Sequence, residues 1–233
     1  MELTANEGKR VCIETTAGTF SRYAIKTHFV QIGENYNDLI RQYIKPLYQE
    51  GDMVSISEKV ISLCQKRIIY KKDMKLSWLA RFLSKFASHS TAGIGVDSEW
   101  KMQFAIDHCG SLKIIWASIC AGIGKIFGKK GVFYEIAGDE VRGLDGFYDH
   151  SFAEYGEYGI RLPEDPVGVC NEIYEQTGVK AVVVDVNDFT CDILGAADSI
   201  PYSTSQLAEI LLDNPAGQST QLTPFVLIRP VEK

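Results

Sequence analysis

Apolar runs and alternating apolar positions mark several segments of the chain as β-strands. The clearest is Val179 to Val184, a run dominated by β-branched residues. Because such a run presents apolar side chains to both sides, we predict a strand buried on both faces of a sheet. By similar criteria, further strands are predicted at Val11 to Thr16, Thr19 to Val30, Met53 to Ile56, Val132 to Ala137 and Phe225 to Arg229.

Apolar residues spaced three or four positions apart mark the helices. Between Asn37 and Leu47 this spacing is regular, and Pro46 stands near its end, as expected at a helix terminus. Further helices are predicted at Trp78 to Ala87, Glu99 to His108, Val167 to Gln176 and Ser205 to Leu212. Ser151 to Arg161, which is rich in Gly and Tyr, is predicted to be an irregular loop.

Strands and helices alternate along the chain, which predicts an α/β or α+β fold. The sequence has no internal repeat and no low-complexity linker. We therefore expect one compact domain spanning residues 1–233.

The most apolar run, Ile114 to Gly124, is bounded by Lys113 and Lys125. Its length of about eleven residues is below the roughly 20 that a spanning helix needs, so a buried core helix is predicted. The opening residues, MELTANEGKRVCIETTAG, have no apolar stretch like that of a signal peptide. We expect a cytoplasmic protein without a membrane partner, whose six scattered cysteines are reduced.

Composition and charge exclude further classes. The 233 residues are 45% hydrophobic and 23% charged, which is typical of a globular protein and not of a disordered or fibrous one. The 30 acidic and 24 basic residues give a net charge of −6. Nucleic-acid binding depends on neutralising phosphates with Lys and Arg, so we expect no nucleic-acid partner.

Common catalytic and nucleotide motifs are missing from the sequence. The stretch Ala121 to Gly131 lacks the GxxxxGK[ST] pattern of a P-loop and is more typical of a helix terminus, with Lys129 and Lys130 solvated. Neither a GxGxxG fingerprint nor a GxSxG elbow occurs. The four histidines (His28, His89, His108 and His150) stand in no metal-binding or catalytic spacing.

Acidic residues at the ends of apolar runs are a better indication of a binding site. Asp185 directly follows the valine run, Asp188 comes three residues later, and Asp97 follows a glycine-rich loop. Ligands of α/β sheets gather at the carboxyl ends of strands, and Mg²⁺ is usually held there by one or two carboxylates and substrate phosphates. With Lys59 after a short strand, these residues would suit a metal–phosphate site. Each aspartate alone is more typical of a turn or cap.

Four stretches resemble the coenzyme F-420-0:L-glutamate (γ-glutamyl) ligases. THFVQIGENYNDLI (Thr27 to Ile40) resembles the family's opening loop and first helix, and GDMVSISEKVISLCQKR (Gly51 to Arg67) is the closest match. TAGIGVDSEW (Thr91 to Trp100) is similar to a loop that binds metal in the family. VVVDVNDFTCDILGAA (Val182 to Ala197) resembles a strand of the family that ends in a metal-binding Asp.

The resemblance implies an α/β fold with a mixed sheet and surrounding helices, an intertwined homodimer, and a GTP-dependent ligase that uses Mg²⁺ or Mn²⁺. Its partners would be GTP, L-glutamate and a small acidic acceptor, coenzyme F-420-0 or a relative. The implied catalytic residues are Lys59, Asp97 and Asp185. The implied nucleotide contacts are His28, Phe29, Val30, Gln31, Ser57, Lys59 and Gln218. The implied metal ligands are Asp97, Asp185, the backbone of Val186, and Gln221.

The sequence departs from the family pattern at several of these positions. Gln218 and Gln221 stand where carboxylates are expected, Asp97 comes late in its loop, and Asp185 is followed by Val-Asn-Asp. An amide oxygen can coordinate Mg²⁺, but it adds no charge to balance a second cation. Two further readings therefore stay open: a non-catalytic descendant that binds a nucleotide or acidic metabolite, and an unrelated structural or interaction protein.

Overall fold

The computed structural model describes residues 3–87, 95–148, 152–187, 190–217 and 221–231. Contacts between residues divide the chain into two compact units. The first unit combines Met1–Arg67 with Pro163–Lys233, and the second is the intervening segment Ile68–Leu162. Where the sequence predicts one domain, the structure thus distinguishes two units within it.

Both strands and helices occur along the described residues. The strands are β1 (Cys12–Thr15), β2 (Gly18–Ile25), β3 (Met53–Ser57), β4 (Ile68–Tyr70), β5 (Asp145–Gly146), β6 (Tyr158–Ile160), β7 (Ala181–Val186), β8 (Cys191–Ala196) and β9 (Phe225–Pro230). The helices are α1 (Tyr36–Leu39), α2 (Glu58–Cys64), α3 (Trp78–Ser84), α4 (Glu99–Cys109), α5 (Ser111–Ile126), α6 (Val132–Ala137), α7 (Asp139–Arg142), α8 (Pro166–Thr177) and α9 (Thr204–Leu211). The predicted mixture of α and β structure is confirmed.

A mixed six-stranded sheet forms the centre of the first unit, in the order β1-β2-β9-β3-β7-β8. Strands β3 and β7 run parallel, and the other neighbouring pairs are antiparallel. Helices α1, α2 and α8 pack on one face of the sheet, and α9 packs on the other. The sheet therefore has a hydrophobic layer on each side.

Strand β7 confirms the prediction made from the valine run. Ala181 and Val183 belong to the core on the α8 side, whereas Val182 and Val184 belong to the core on the α9 side. The strands predicted at Met53 to Ile56 and at Phe225 to Arg229 are also present, as β3 and β9. A strand buried on both faces is apolar throughout, and this is why it is visible in sequence.

The helix predicted between Asn37 and Leu47 begins one residue earlier and changes its pitch. Asn35 caps α1, because its side chain accepts the backbone N–H of Asn37 at 2.8 Å. After Leu39 the chain continues as a π-helical turn, Ile40–Ile44, and the helix ends before Pro46. Ile40 and Ile44 are fully buried, so the wider turn still directs the apolar residues to the core.

In the second unit, α3, α5 and α7 contact α4, and a small antiparallel sheet has the order β4-β6-β5. Helix α4 is buried over six consecutive residues, from Lys101 to Ile106. Its hydrophobic side chains form the core of this unit with residues such as Ile114, Phe133 and Leu144.

Two predictions in the second unit are wrong. Val132 to Ala137 forms α6 and not a strand. A segment of six residues is too short for its apolar pattern to distinguish a helix from a strand. Packing against α5 decides between them: Val132 lies so close to Gly124 that a Cβ on Gly124 would be 2.9 Å from Val132 Cγ2. The predicted loop from Ser151 to Arg161 contains a 3₁₀ turn, Ala153–Gly156, and the strand β6.

The apolar run Ile114 to Gly124 is helical, but the prediction of a buried core helix is wrong for most of its surface. Within α5, Ile114, Ala117 and Gly124 are buried, whereas Trp116 and Ile123 are exposed. Among the helices of the described residues, none is long and apolar enough to cross a membrane.

Candidate functional site

The carboxyl ends of β3 and β7 lie side by side. The two strands are parallel, and Ser57 at the end of β3 pairs with Val184. Asp185 is the next residue of β7, and Lys59 lies in the first turn of α2, which begins directly after Ser57. Parallel pairing therefore places Ser57, Lys59 and Asp185 at one end of the sheet, which we call the Ser57–Asp185 end.

Backbone hydrogen bonds bring two loops to the same end of the sheet. The Thr27 N–H donates to the Leu222 carbonyl at 2.8 Å, and the Ser57 N–H donates to the Pro224 carbonyl at 2.9 Å. The segment from His28 to Gln31 follows Thr27, and Gln221 precedes Leu222. Within the first unit, the structure thus gathers the described residues that the ligase resemblance implicates.

Side-chain alternation separates two of these residues across the sheet. Ser57 pairs with Val184, which faces the α9 side. Asp185 is one position further along β7 and shares the face of Val183, on the α8 side. A ligand that contacts both side chains would therefore lie across the strand ends and not on one face.

Asp192, which sequence reasoning missed, lies directly opposite Asp185. The two residues are paired between the antiparallel strands β7 and β8, so both carboxylates are on one face of the sheet. A hairpin makes this pairing, closed by the Asn187 N–H donating to the Thr190 carbonyl at 3.0 Å. Asn187 and Thr190 stand between two apolar runs of the sequence, and this pattern could have been used to predict the turn.

Cys191 lies beside this carboxylate pair, and its thiol does not provide a thiolate nucleophile. Burial, followed by the charges of Asp192 and Asp185, raises the pKa of its thiol to about 12. A thiol with so high a pKa stays protonated at neutral pH. The chemistry available at this position is therefore that of the two carboxylates.

Glu34 organises the segment from His28 to Gln31. Its carboxylate lies 3.0 Å from His28 Nε2 and accepts the Gln31 N–H at 2.5 Å. The other ring nitrogen of His28, Nδ1, is 2.6 Å from the Tyr43 hydroxyl. The Phe29 carbonyl accepts a hydrogen bond from the Gln31 side chain. The Val30 side chain is buried in the core, so the backbone of Val30 is the part that can face a ligand.

Asn6 holds the loop that precedes β9. Its side-chain amide donates to the carbonyls of Pro215 and Ala216, at 3.0 and 2.9 Å, and to the Thr223 hydroxyl at 2.9 Å. Gln221 lies in this loop, next to Gly217. Gln218, which is also implicated by the resemblance, lies outside the described residues, as does Asp188.

Asp97 belongs to the second unit, where it lies close enough to affect a buried lysine. Lys101 is 2% exposed and donates to the carbonyls of Arg142 and Leu144, at 3.0 and 2.7 Å. Burial lowers the pKa of Lys101 to about 8, and the charges of Asp145 and Asp97 oppose this shift. The sequence did not indicate this relationship between Asp97 and Lys101.

The donors at the Ser57–Asp185 end fit a hard divalent cation. Two carboxylates, Asp185 and Asp192, lie opposite each other, and the backbone of Val186 follows Asp185 in β7. Gln221 lies in the loop before β9, which β3 separates from β7. Mg²⁺ is commonly held by one or two carboxylates, with waters and substrate phosphates completing its coordination. Among the described residues, no group of three or more His, Cys, Asp or Glu side chains is placed to hold a metal alone. A cation bound together with a phosphate ligand agrees with both observations.

No protein-family model matches the chain, and no curated protein matches it.

Proposed function

We propose that the chain is a GTP-dependent, divalent-metal-dependent ligase that joins L-glutamate to coenzyme F-420-0 or a related acidic metabolite through a γ-glutamyl-type amide. The observation that supports this most is the pairing of Ser57 with Val184, which places Lys59 and Asp185 at neighbouring strand ends. The facing carboxylates of Asp185 and Asp192 add a second argument, because like charges in this position favour a bound cation.

In such a reaction the acceptor carboxylate must first be activated, because an oxide ion is a very poor leaving group. The γ-phosphoryl group of GTP is transferred to the carboxylate, giving an acyl phosphate and GDP. The amine of L-glutamate then attacks the acyl carbon, the amide forms, and inorganic phosphate leaves. A divalent cation, when bound, supplies charge neutralisation at the phosphate oxygens.

The residues of this chain have distinct parts in the proposed reaction. Asp185 and Asp192 would hold the cation, while Lys59 would place a positive charge near the transferred phosphate. The segment from His28 to Gln31, fixed by Glu34, would contact the nucleotide. The reaction needs no side-chain nucleophile, so the protonated thiol of Cys191 is compatible with it. The metal-ligand role implied for Asp97 stays a prediction, which the variant Asp97→Asn tests.

A second candidate function is favoured by the amide side chains near the site. Gln221 stands where the resemblance implies a carboxylate, and it contributes no charge to a second cation. A non-catalytic descendant that binds the nucleotide or an acidic metabolite would have the same loops and strand ends. Binding without turnover distinguishes this alternative from the ligase.

The test is an assay of phosphate release from GTP with Mn²⁺, L-glutamate and coenzyme F-420-0. The ligase proposal predicts phosphate release that requires all four, and a product heavier by one glutamyl residue. Lys59→Met should reduce turnover about a hundredfold. Lys180→Met, just before the opposite end of β7, is the matched control and should keep wild-type turnover.

Nucleotide binding without phosphate release would favour the non-catalytic descendant. If the protein binds neither GTP nor ATP, the ligase proposal is overturned, and a descendant that binds a small acidic metabolite is the reading that remains. The implied homodimer is measured separately by light scattering, because its absence would not change the chemistry at the strand ends.

A further inference from the structure

Helix α5 exposes a continuous apolar stripe. Its residues recur at intervals of three and four positions, which places them on one face of the helix. Their exposed fractions are 85% for Leu112, 61% for Trp116, 50% for Ile119, 51% for Ile123 and 82% for Ile126. The opposite face, with Ile114, Ala117 and Gly124, is buried against its own unit. The stripe is therefore not the face that α5 uses to fold.

Helix α3 and the turn after it expose a second row of aromatic residues. Trp78, Phe82 and Phe86 are 76%, 51% and 71% exposed, and they follow one another at intervals of four. Their rings contact in series, with centroids 6.4 and 5.0 Å apart. Both α3 and α5 pack against α4 within the second unit. Isolated exposed apolar residues are ordinary, but rows of this length mark an interaction surface.

The charges around these rows are basic, in a chain whose net charge is −6. Residues 111–131 contain Lys113, Lys125, Lys129 and Lys130 and no acidic residue. Residues 74–87 contain Lys75, Arg81 and Lys85, again without an acidic residue. Lys113 donates to the Ala137 carbonyl at 3.3 Å, and Arg81 lies 3.9 Å from the Glu99 carboxylate. The excess positive charge of the two segments therefore lies mainly on Lys75, Lys85, Lys129 and Lys130.

This combination argues against a second copy of the chain as the partner. In a two-fold dimer the same patch meets itself, so the lysines of the two copies would approach without acidic residues from these segments to pair with them. An anionic bilayer is complementary in both respects. Apolar side chains and indole rings enter the boundary between headgroups and acyl chains, and lysines reach the lipid phosphates.

We propose that the exposed face of α5 is a peripheral binding surface for anionic lipid bilayers, and that the aromatic row of α3 is a second contact of the same kind. The α5 stripe would lie in the plane of the membrane, with Lys129 and Lys130 at the headgroups. This proposal does not depend on the ligase function, because its residues belong to the second unit and the Ser57–Asp185 end to the first. It would bring the chain to a membrane without a spanning helix, which departs from the expectation of no membrane partner.

Flotation of the full-length chain with lipid vesicles tests the proposal. Vesicles of pure phosphatidylcholine are compared with vesicles that contain about 30% phosphatidylserine. We expect flotation with the anionic vesicles only, and a blue shift of tryptophan fluorescence as Trp78 and Trp116 leave water. The absence of flotation with anionic vesicles, or equal flotation with both, would overturn the proposal.

Variants connect binding to this surface. Trp116→Gln should lose most of the flotation, while Leu212→Gln, at a residue of the first unit that is 55% exposed, should keep it. Because each interfacial lysine contributes to attraction by anionic lipid, Lys129→Gln and Lys130→Gln should each weaken binding about fivefold. Circular dichroism checks that the variants remain folded, which the exposure of Trp116 favours.

Two results would assign the surface differently. Flotation that is unchanged in Trp116→Gln would overturn the role of α5. A dimer in light scattering that Trp116→Gln dissociates, together with no vesicle binding, would identify the surface as an interface between copies and overturn the membrane proposal.

Discussion

Asp185 and Asp192 lie directly opposite each other on β7 and β8, at the end of the sheet where β3 also terminates. Like charges directly opposite each other on neighbouring strands repel, and a bound cation relieves that repulsion. This gives the pair a property that can be measured without knowing the substrate. It also provides a test of metal binding that is independent of catalysis.

Replacing Asp192 by asparagine removes one of the two facing charges, so the metal-free protein should lose no stability. The same change should reduce the rise in melting temperature that Mn²⁺ produces in the wild type, since binding to the folded state stabilises it. Thermal unfolding with and without Mn²⁺ measures both effects. A variant that is less stable without metal, yet keeps the full Mn²⁺ shift, would contradict the assignment.

Glu34→Ala should weaken GTP binding about tenfold. The carboxylate holds both the His28 ring and the Gln31 N–H, so its removal loosens the segment proposed to contact the nucleotide. Glu172→Ala is a suitable control, because this residue accepts hydrogen bonds from Tyr36 and Asn37 and supports α1 elsewhere. Titration calorimetry measures the two affinities. Equal affinities in both variants would show that the order of this segment does not matter for binding.

The ion pair between Asp52 and Arg229 should be important for stability. Asp52 is 1% exposed, and its carboxylate accepts from Arg229 Nε at 2.9 Å and from Nη2 at 2.7 Å. Asp52→Ala removes both hydrogen bonds to the Arg229 guanidinium, which is 22% exposed, so the change should cost about 2 kcal/mol. Asp38→Ala, which breaks an exposed pair with Arg41, should cost less than about 1 kcal/mol. Urea unfolding measures both, and similar costs would contradict the prediction.

Lys101 should make stability depend on pH in the alkaline range. Burial lowers its folded pKa to about 8 from an ordinary value of 10.5, so between these values the unfolded chain binds more protons. The cost of burying the charge is present in full below pH 8 and is relieved as the pH rises. The free energy of unfolding should therefore gain up to about 3 kcal/mol from this residue between pH 8 and 10.5.

Comparison with Lys101→Met isolates this contribution from that of other groups. The difference in unfolding free energy between wild type and variant should shift in favour of the wild type as the pH rises. A neutral lysine still has two N–H groups for the carbonyls of Arg142 and Leu144, so its hydrogen bonds persist. A difference that does not change between pH 8 and 10.5 would contradict the prediction.

The parts of the fold that the sequence predicted are those with one strong local signal. β7 is apolar on both faces, and the helix at Asn37 has a regular period and an asparagine cap, so no tertiary information was needed. The short segment Val132 to Ala137 fits both periods, and its contact with α5 decided its structure. The apolar run of α5 predicted burial, but hydrophobicity alone does not show whether a helix face is covered.

The candidate site was predicted in part for a similar reason. Asp185 and Lys59 follow strands and are visible as residues at strand ends. Asp192 and Glu34 act through pairing across a hairpin and through a loop hydrogen-bond network. Such relationships depend on which segments meet in space. Their positions can be recognised in sequence only after the turn residues, such as Asn187 and Thr190, are used to fix the register.

Calorimetric titration of metal-free protein with GTP and with ATP, each with and without Mn²⁺, tests the proposed ligase site most directly. Three proteins are needed: the wild type, Asp185→Asn, and Glu50→Gln, whose exposed side chain precedes β3 at the opposite end of the sheet. We predict Mn²⁺-dependent binding of GTP in preference to ATP by the wild type and Glu50→Gln, and its loss in Asp185→Asn. Binding that is absent from the wild type, or retained in full by Asp185→Asn, would contradict the account.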